Sequence, residues 1–90
     1  MSTAFIVLQD VPEARTLVEA AEQDNKNLTV DQQPAMVRLE APGEVVIRKQ
    51  TVEELTGQEW DPQDIHLVLV SVGGNIDETD DQFRVYWANN

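Results

Sequence analysis

Apolar and polar residues alternate along several short segments of the chain, and this period of two is typical of β-strands. The segments predicted as strands are residues 3–9, 28–32, 35–41, 44–49, 65–72 and 83–87. Residues 3–9 carry apolar side chains on both faces, as expected for a strand inside a sheet. The same two-faced pattern in residues 65–72 predicts a second strand that is central and buried.

One longer segment follows the period of an α-helix instead. Its apolar residues recur at the spacing of a single helical stripe, and they are Ala14, Leu17, Val18 and Ala21. Pro12 stands just before the stripe, where the first helical turn tolerates proline because no partner exists there for an N–H. A helix is therefore predicted to begin at Pro12 and to end near residues 24–27.

Two shorter helical segments are predicted from residues that are typical of helix ends. Thr51 and Glu54 have the spacing of a capping box, and Gly57 suits the left-handed residue that ends a helix. Asp61 followed by Pro62 predicts the start of another short helical turn. The element order is then strand, helix, strand, strand, repeated once. This order predicts an α+β fold in which residues 1–90 form one small domain of mainly antiparallel sheets with packed helices.

The composition limits the classes of function. Seventeen acidic residues against six basic ones give a formal charge of −11. Such a surface repels nucleic acid and anionic lipid, because binding phosphate groups requires clustered lysine and arginine. No apolar run is long enough to cross a bilayer. The chain has no cysteine, which excludes disulfides and thiolate metal sites and favours the reducing cytoplasm as its location.

The acidic segment SVGGNIDETDDQF, residues 71–83, is a candidate calcium site. Asn75, Asp77, Thr79 and Asp81 match the first four ligand positions of an EF-hand loop. However, Asp80 stands where the loop needs glycine, and the twelfth position lacks the bidentate glutamate. A phosphate-binding loop is also disfavoured because no lysine or helix start follows the glycines. The segment is interpreted as a hairpin-type loop whose Gly73, Gly74 and Asn75 supply left-handed conformations.

The remaining polar side chains do not form a convincing catalytic centre either. His66 has no partner at metal-binding spacing and is interpreted as a structural hydrogen-bond donor at the start of a buried strand. Ser71 lacks a neighbouring base and the G-x-S-x-G pattern of a nucleophile elbow. The residues alone therefore indicate an acidic cytoplasmic interaction domain.

Several segments, taken together, resemble a known protein family. They are 18–25 (VEAAEQDN), 32–40 (QQPAMVRLE), 51–54 (TVEE), 60–61 (WD) and 72–77 (VGGNID) with its acidic continuation. Their order and spacing are similar to those of the small regulatory, or coupling, proteins of bacterial multicomponent diiron monooxygenases. The resemblance is strongest to the phenol hydroxylase branch and weaker to the toluene and methane monooxygenase branches, and it covers almost the whole chain.

The resemblance implies a protein that binds no cofactor and catalyses no reaction itself. Family members dock on the large oxygenase component, above the helices that carry its diiron ligands, and couple dioxygen activation to hydroxylation. The implied partner is therefore the diiron oxygenase of a multicomponent monooxygenase that acts on phenol or a methylated phenol. The free protein is expected to be a monomer, although exposed edge strands also allow weak dimers.

The same resemblance nominates two groups of residues for contact with the partner. The first group contains Gln33, Pro34, Ala35, Met36 and Arg38, and the second contains Gly73, Gly74 and Asn75. Met36 offers an adaptable apolar contact and Arg38 can pair with a carboxylate. The alternative is that Met36 belongs to the core and Arg38 is a solvated strand residue.

Two other functions stay open at this point. A stand-alone adaptor could bind peptides by adding them as a strand to an exposed sheet edge. A small calcium-binding module is the third possibility, and it rests only on the acidic segment.

Overall fold

A computed structural model describes residues 2–88 of the chain. It contains two α-helices and one 3₁₀ helix, which are α1 (Pro12–Asp24), α2 (Lys49–Thr56) and the 3₁₀ helix Pro62–Leu67. Its strands are β1 (Thr3–Gln9), β2 (Thr29–Gln33), β3 (Met36–Pro42), β4 (Glu44–Arg48), β5 (Leu69–Gly73), β6 (Asn75–Glu78) and β7 (Gln82–Tyr86). The α+β class with antiparallel sheets is confirmed.

The strands form two antiparallel sheets, and neither sheet corresponds to one half of the chain. The four-stranded sheet has the order β2-β3-β1-β5, and the three-stranded sheet has the order β4-β7-β6. The prediction that β1 lies inside a sheet is confirmed, since it pairs with β3 on one side and β5 on the other. Because β5 comes from the second half and pairs with the first strand, the two halves share one sheet.

The core lies between the inner faces of the sheets and the apolar stripe of α1. In the stripe predicted from the sequence, Ala14, Leu17 and Ala21 are buried and Val18 packs against the core at its margin. The sheets contribute fully buried side chains, among them Ile6, Leu8, Leu39, Ile47, Phe83 and Val85. Each such aliphatic or aromatic side chain stabilises the fold by roughly 1.5–3 kcal/mol relative to an exposed one.

The end of α1 is tied to the second sheet by two polar side chains. Asn25 Nδ2 donates to the Val46 carbonyl at 2.7 Å, and the Val46 N–H donates back to Asn25 Oδ1 at 3.0 Å. Asp24 accepts from the Arg48 N–H at 2.9 Å and from the Thr51 hydroxyl at 2.7 Å. The predicted end of the helix is thus correct, and these two residues also fix α1 against β4.

The predicted capping box is wrong. The helix α2 begins at Lys49, with Arg48 at the cap position and no side-chain cap bond. Thr51 is buried inside the helix, and its hydroxyl binds Asp24 instead of the helix backbone. The Thr51 hydroxyl therefore forms a tertiary hydrogen bond instead of the local helix cap that the sequence pattern predicted. Gly57 does end the helix, with a left-handed φ of 72°.

The predicted buried strand over residues 65–72 is also wrong. Asp61 caps a 3₁₀ helix, as its position before Pro62 indicated, but this helix continues through His66 to Leu67. The strand β5 begins only at Leu69, and it is an edge strand with one unpaired side. Its apolar residues are therefore partly exposed, since an edge strand lacks the neighbour that would cover them.

The segment interpreted as a hairpin-type loop contains a strand. Asn75–Glu78 form β6, which pairs with β7 at the edge of the three-stranded sheet. The turn that follows is short, because the Thr79 hydroxyl accepts from the N–H groups of Asp81 and Gln82, both at 3.2 Å. Ile76 is the only apolar residue in β6, and so the alternation that predicts a strand is too short to recognise.

Candidate partner-binding surface

The outer face of the four-stranded sheet carries most of the first predicted group. Gln33, Met36 and Arg38 lie on this face, opposite the buried Val37 and Leu39 of the same ladder. All three side chains are half-buried. The alternative in which Met36 belongs to the core does not hold, because its strand turns that side chain away from the core.

Arg38 is held in place by two interactions. Its Nε donates to Glu40 Oε2 at 3.0 Å, and its guanidinium carbon lies 4.0 Å from the centre of the Phe5 ring. A cation above an aromatic face is attracted by the ring quadrupole. Arg38 is therefore an ordered residue that already has a carboxylate and an aromatic partner within the chain.

Pro34 and Ala35 form the turn between β2 and β3. Proline at the second turn position and a positive φ at the third are the features of a type II turn. Here Ala35 has a φ of 63°, and it is the one non-glycine residue with positive φ in the described part of the chain. Its carbonyl accepts from the Asp10 N–H at 3.1 Å, which holds the turn against the end of β1.

The glycines of the second predicted group have different structural roles. Gly74 has a φ of 138°, and a Cβ there would lie 2.8 Å from Val85 Cγ1. Gly73 has no positive φ, but a Cβ on it would overlap the Phe5 ring. Asn75 does not have a positive φ either, so that the left-handed conformation predicted for Gly73 and Asn75 is wrong. Gly73 is needed because an aromatic ring packs on its backbone.

The two predicted groups meet on the same sheet through Phe5. Phe5 pairs with Gly73 across β1 and β5, and it lies under the Arg38 guanidinium from β3. Pro34, Ala35 and Met36 lie at the end of the sheet near Gln9. Gly74 and Asn75 carry the chain from this sheet to the other one.

A second surface was not predicted from the sequence. Leu67, Val70 and Ile76 have exposed fractions of 78%, 48% and 48%. They lie at the end of the 3₁₀ helix, in β5 and in β6, and β5 and β6 are each an edge strand of their sheet. These three residues are called the apolar ridge. Sequence reasoning missed the ridge because residues 65–72 were assigned to a buried strand, where such side chains would be covered.

A histidine and several charged residues beside the ridge are paired with one another. His66 Nε2 lies 2.6 Å from Glu78 Oε1, which connects the 3₁₀ helix to β6. Arg84 donates to Glu44 at 3.0 Å and lies 3.6 Å from Asp77. The hydrogen bond to Glu44 raises the pKa of Arg84 above the usual arginine value. His66 is thus a structural residue as predicted, although it lies on an exposed helical turn instead of a buried strand.

The acidic segment does not form a metal-binding cluster. Between residues 2 and 88, no group of three or more histidine, cysteine, aspartate or glutamate side chains could hold a metal ion. Asp77 and Glu78 already have partners within the chain, which are Arg84 and His66 respectively. No helix in this part of the chain is long and apolar enough to cross a membrane.

Comparisons with known proteins place this fold in a family. The sequence profile of the MmoB/DmpM family matches residues 2–86. The chain is 44% identical over 88 residues to the stimulatory component DmpM of phenol 2-monooxygenase from Pseudomonas sp. (strain CF600), and the match covers 98% of both chains.

Two solved structures are also similar. A chain from the structure of a phenol hydroxylase–regulatory protein complex superposes with a TM-score of 0.93 at 40% identity, covering 97% of this chain and all of the other. Regulatory protein B of soluble methane monooxygenase shares the fold, with a TM-score of 0.74 at 18% identity over 96% of this chain and 65% of that one. The chain therefore belongs to the MmoB/DmpM family.

Proposed function

We propose that this protein is the cofactor-free regulatory subunit of a bacterial multicomponent monooxygenase that hydroxylates phenol or a related aromatic compound. It docks on the diiron hydroxylase component and raises both turnover and coupling. The observation that carries the proposal is the nearly full-length likeness, in sequence and in fold, to a regulatory chain from a complex with phenol hydroxylase. Residues 1–90 act as one regulatory domain. We place it in the cytoplasm, because a chain without cysteines forms no disulfides and suits a reducing compartment.

A regulatory subunit of this kind acts by binding energy alone. A ligand changes the equilibrium between two states of its partner only by binding one state more tightly than the other. The subunit therefore needs a surface that fits the active arrangement of the hydroxylase better than its resting arrangement. Its formal charge of −11 also steers the subunit electrostatically toward a basic surface on the partner.

The docking surface is proposed to consist of the apolar ridge and the part of the outer sheet face next to it. The ridge supplies exposed apolar side chains that a partner can cover on docking. Arg38, Met36, Gln33 and the Pro34–Ala35 turn extend the surface along the four-stranded sheet. Gly73, Gly74 and Asn75 shape the backbone where both parts meet, at the junction of the two sheets.

A steady-state titration tests the proposed function. A phenol hydroxylase oxygenase and its reductase are held fixed, this protein is added in steps, and both product formed and NADH consumed are recorded. Product per NADH is expected to rise and to saturate near an equimolar ratio to the oxygenase active sites. A flat response with the cognate oxygenase would contradict the proposal.

The exposed edge of β5 supports a second candidate function. An edge strand with unpaired backbone groups can receive a peptide as an additional strand, and β5 is such an edge. In that case the protein would be a general adaptor for extended basic peptides. An affinity capture that recovers many unrelated peptides and no oxygenase would favour the adaptor, whereas recovery of the oxygenase alone would exclude it.

A further inference from the structure

A cleft of about 470 Å³ lies between the start of α1 and the 3₁₀ helix. Its apolar lining consists of Val11, Leu17, Trp60, Leu67 and Val68. Leu17 and Val68 are buried, Val11 and Trp60 are half-buried, and Leu67 is the most exposed apolar residue of the ridge. The cleft and the ridge are therefore continuous, because Leu67 belongs to both.

The aromatic wall of the cleft is fixed by the fold. The backbone N–H of Trp60 donates to Glu53 Oε2 at 2.9 Å, which joins the connection after α2 to the helix itself. The Trp60 side chain also packs against the core. A preformed wall loses little conformational freedom when a ligand binds, and this favours affinity.

Two carboxylates lie at the rim of the same cleft. Glu13 and Asp64 line it and are exposed. Neither residue belongs to any of the ion pairs found between residues 2 and 88. They differ in this respect from the acids beside the ridge, which are paired with His66 and Arg84.

This combination of groups fits one kind of side chain. An indole face and aliphatic walls accept the methylene stem and the planar head of an arginine, while two carboxylates can receive its N–H groups. A purely apolar side chain would leave the carboxylates without partners, and an acidic one would be repelled. Lysine offers no planar head to stack on the indole.

We infer that this cleft receives an arginine side chain of the hydroxylase component when the two proteins dock. The inference rests on the proposed function and identifies the anchor of that interface. Buried arginine and tryptophan contacts are enriched among the residues that dominate binding energy in protein interfaces. The overall negative charge brings the basic partner surface close, and the cleft then fixes its register.

The test compares two double variants with the same change in charge. Glu13→Gln with Asp64→Asn removes both rim carboxylates, and Glu22→Gln with Glu54→Gln removes two exposed acids that line neither this cleft nor the adjoining cavity beside Trp60. Binding of each full-length variant to the purified hydroxylase is measured by calorimetry at low and at physiological salt. Thermal unfolding of each variant confirms that the fold is intact.

The rim variant is expected to bind at least about tenfold more weakly, as is usual for the loss of charge-assisted hydrogen bonds at an anchor. It should also lose part of the salt dependence. The control variant is expected to change affinity by about twofold or less, because separated surface charges are largely screened. Equal weakening by both variants, or none by either, would overturn the inference.

Failure of the proposed function would look different. Unaltered protein would then neither bind the hydroxylase nor raise product per NADH, and both proposals would fall together. If unaltered protein binds and stimulates but the two double variants behave alike, only the arginine-binding cleft is wrong.

Discussion

The outer face of the four-stranded sheet and the apolar ridge differ in how their side chains are held. On the sheet face, Arg38 has a carboxylate at 3.0 Å and an aromatic ring at 4.0 Å. On the ridge, Leu67 and Val70 are 78% and 48% exposed, and Val70 belongs to the edge strand β5. On the sheet face, Arg38 already has partners within the chain, whereas the ridge exposes apolar area to water.

The difference indicates where binding energy is available. Covering apolar area releases about 25 cal/mol per Å², so that a partner gains most where the chain leaves such area open. A side chain that already has partners gains less, because docking only exchanges one set of contacts for another. We therefore expect the ridge to contribute more affinity than the sheet face, which contributes orientation and stability.

The largest expected effect is on the ridge. Replacing Leu67→Ser and Val70→Ser together should weaken binding to the hydroxylase by about 2–3 kcal/mol, since the partner is proposed to cover both side chains. The free energy of unfolding should change by less than about 0.5 kcal/mol per site, as for substitutions at other exposed positions. Calorimetric titration and chemical denaturation measure the two quantities.

Leu55→Ser is the matched control for the ridge variants. Leu55 is also an exposed leucine, but it lies on α2. Its replacement should leave the affinity for the hydroxylase unchanged. A loss of affinity equal to that of the ridge variants would mean that general surface hydrophobicity, and not the ridge, drives association.

The second effect concerns stability at the junction of the two surfaces. Gly73→Ala should destabilise the fold by about 1–3 kcal/mol, because overpacking against the Phe5 ring forces the ring or the strand to move. Thermal unfolding followed by circular dichroism measures the loss. The displaced ring would also loosen the contact with Arg38.

Gly57→Ala separates the effect of space from the effect of backbone conformation. Gly57 has a φ of 72° and nothing near its missing Cβ, whereas Gly73 has a crowded Cβ position and no positive φ. The Gly57 variant should lose about 1 kcal/mol from left-handed strain. If Gly73→Ala proved as stable as the original protein, the packing of Phe5 on its backbone would be wrong.

The smallest effect is expected on the sheet face. Arg38→Ala should cost about 1 kcal/mol of stability, because a half-exposed ion pair and a cation–π contact are each worth about that or less. Binding to the hydroxylase should weaken by only about threefold, consistent with a side chain that is already satisfied. Denaturation and calorimetry on the same preparation measure both. A loss of affinity larger than that of the ridge variants would reverse the order of the two surfaces.

Regular patterns in the sequence were sufficient to predict most of the fold. The two-faced apolar pattern of β1 correctly predicted an interior strand. The stripe of α1, with Pro12 at its start, correctly predicted the longest helix. These elements bury wide apolar faces, so that their period reflects the packing directly.

The errors occur where tertiary contacts override local signals. Thr51 has the sequence context of a helix cap, but its hydroxyl binds Asp24, which is 27 residues away in the chain. The apolar run after Ile65 has the composition of a buried strand, yet it begins inside a 3₁₀ helix and ends on a sheet edge. Neither the partner of a hydroxyl nor the position of a strand in its sheet is encoded in local alternation.

The candidate surface was only partly predictable for the same reason. The family resemblance nominated Met36, Arg38 and the glycines, and the structure shows that Phe5 joins these groups. The ridge could not be found by alternation, since the exposure of Leu67 depends on its place at the end of the 3₁₀ helix, and that of Val70 on β5 being an edge strand. The one available indication in the sequence was an unusually apolar run that closely follows the residues predicting a helical turn.

Amide hydrogen exchange of this protein, free and bound to the hydroxylase component, shows directly which surface the partner covers. Exchange is expected to be slower in the complex for residues 67–76, which contain the ridge, β5 and the glycine junction. Exchange is expected to stay unchanged for α2 (Lys49–Thr56). Slower exchange confined to α2 or to β2 (Thr29–Gln33), with residues 67–76 unchanged, would contradict the proposed docking surface.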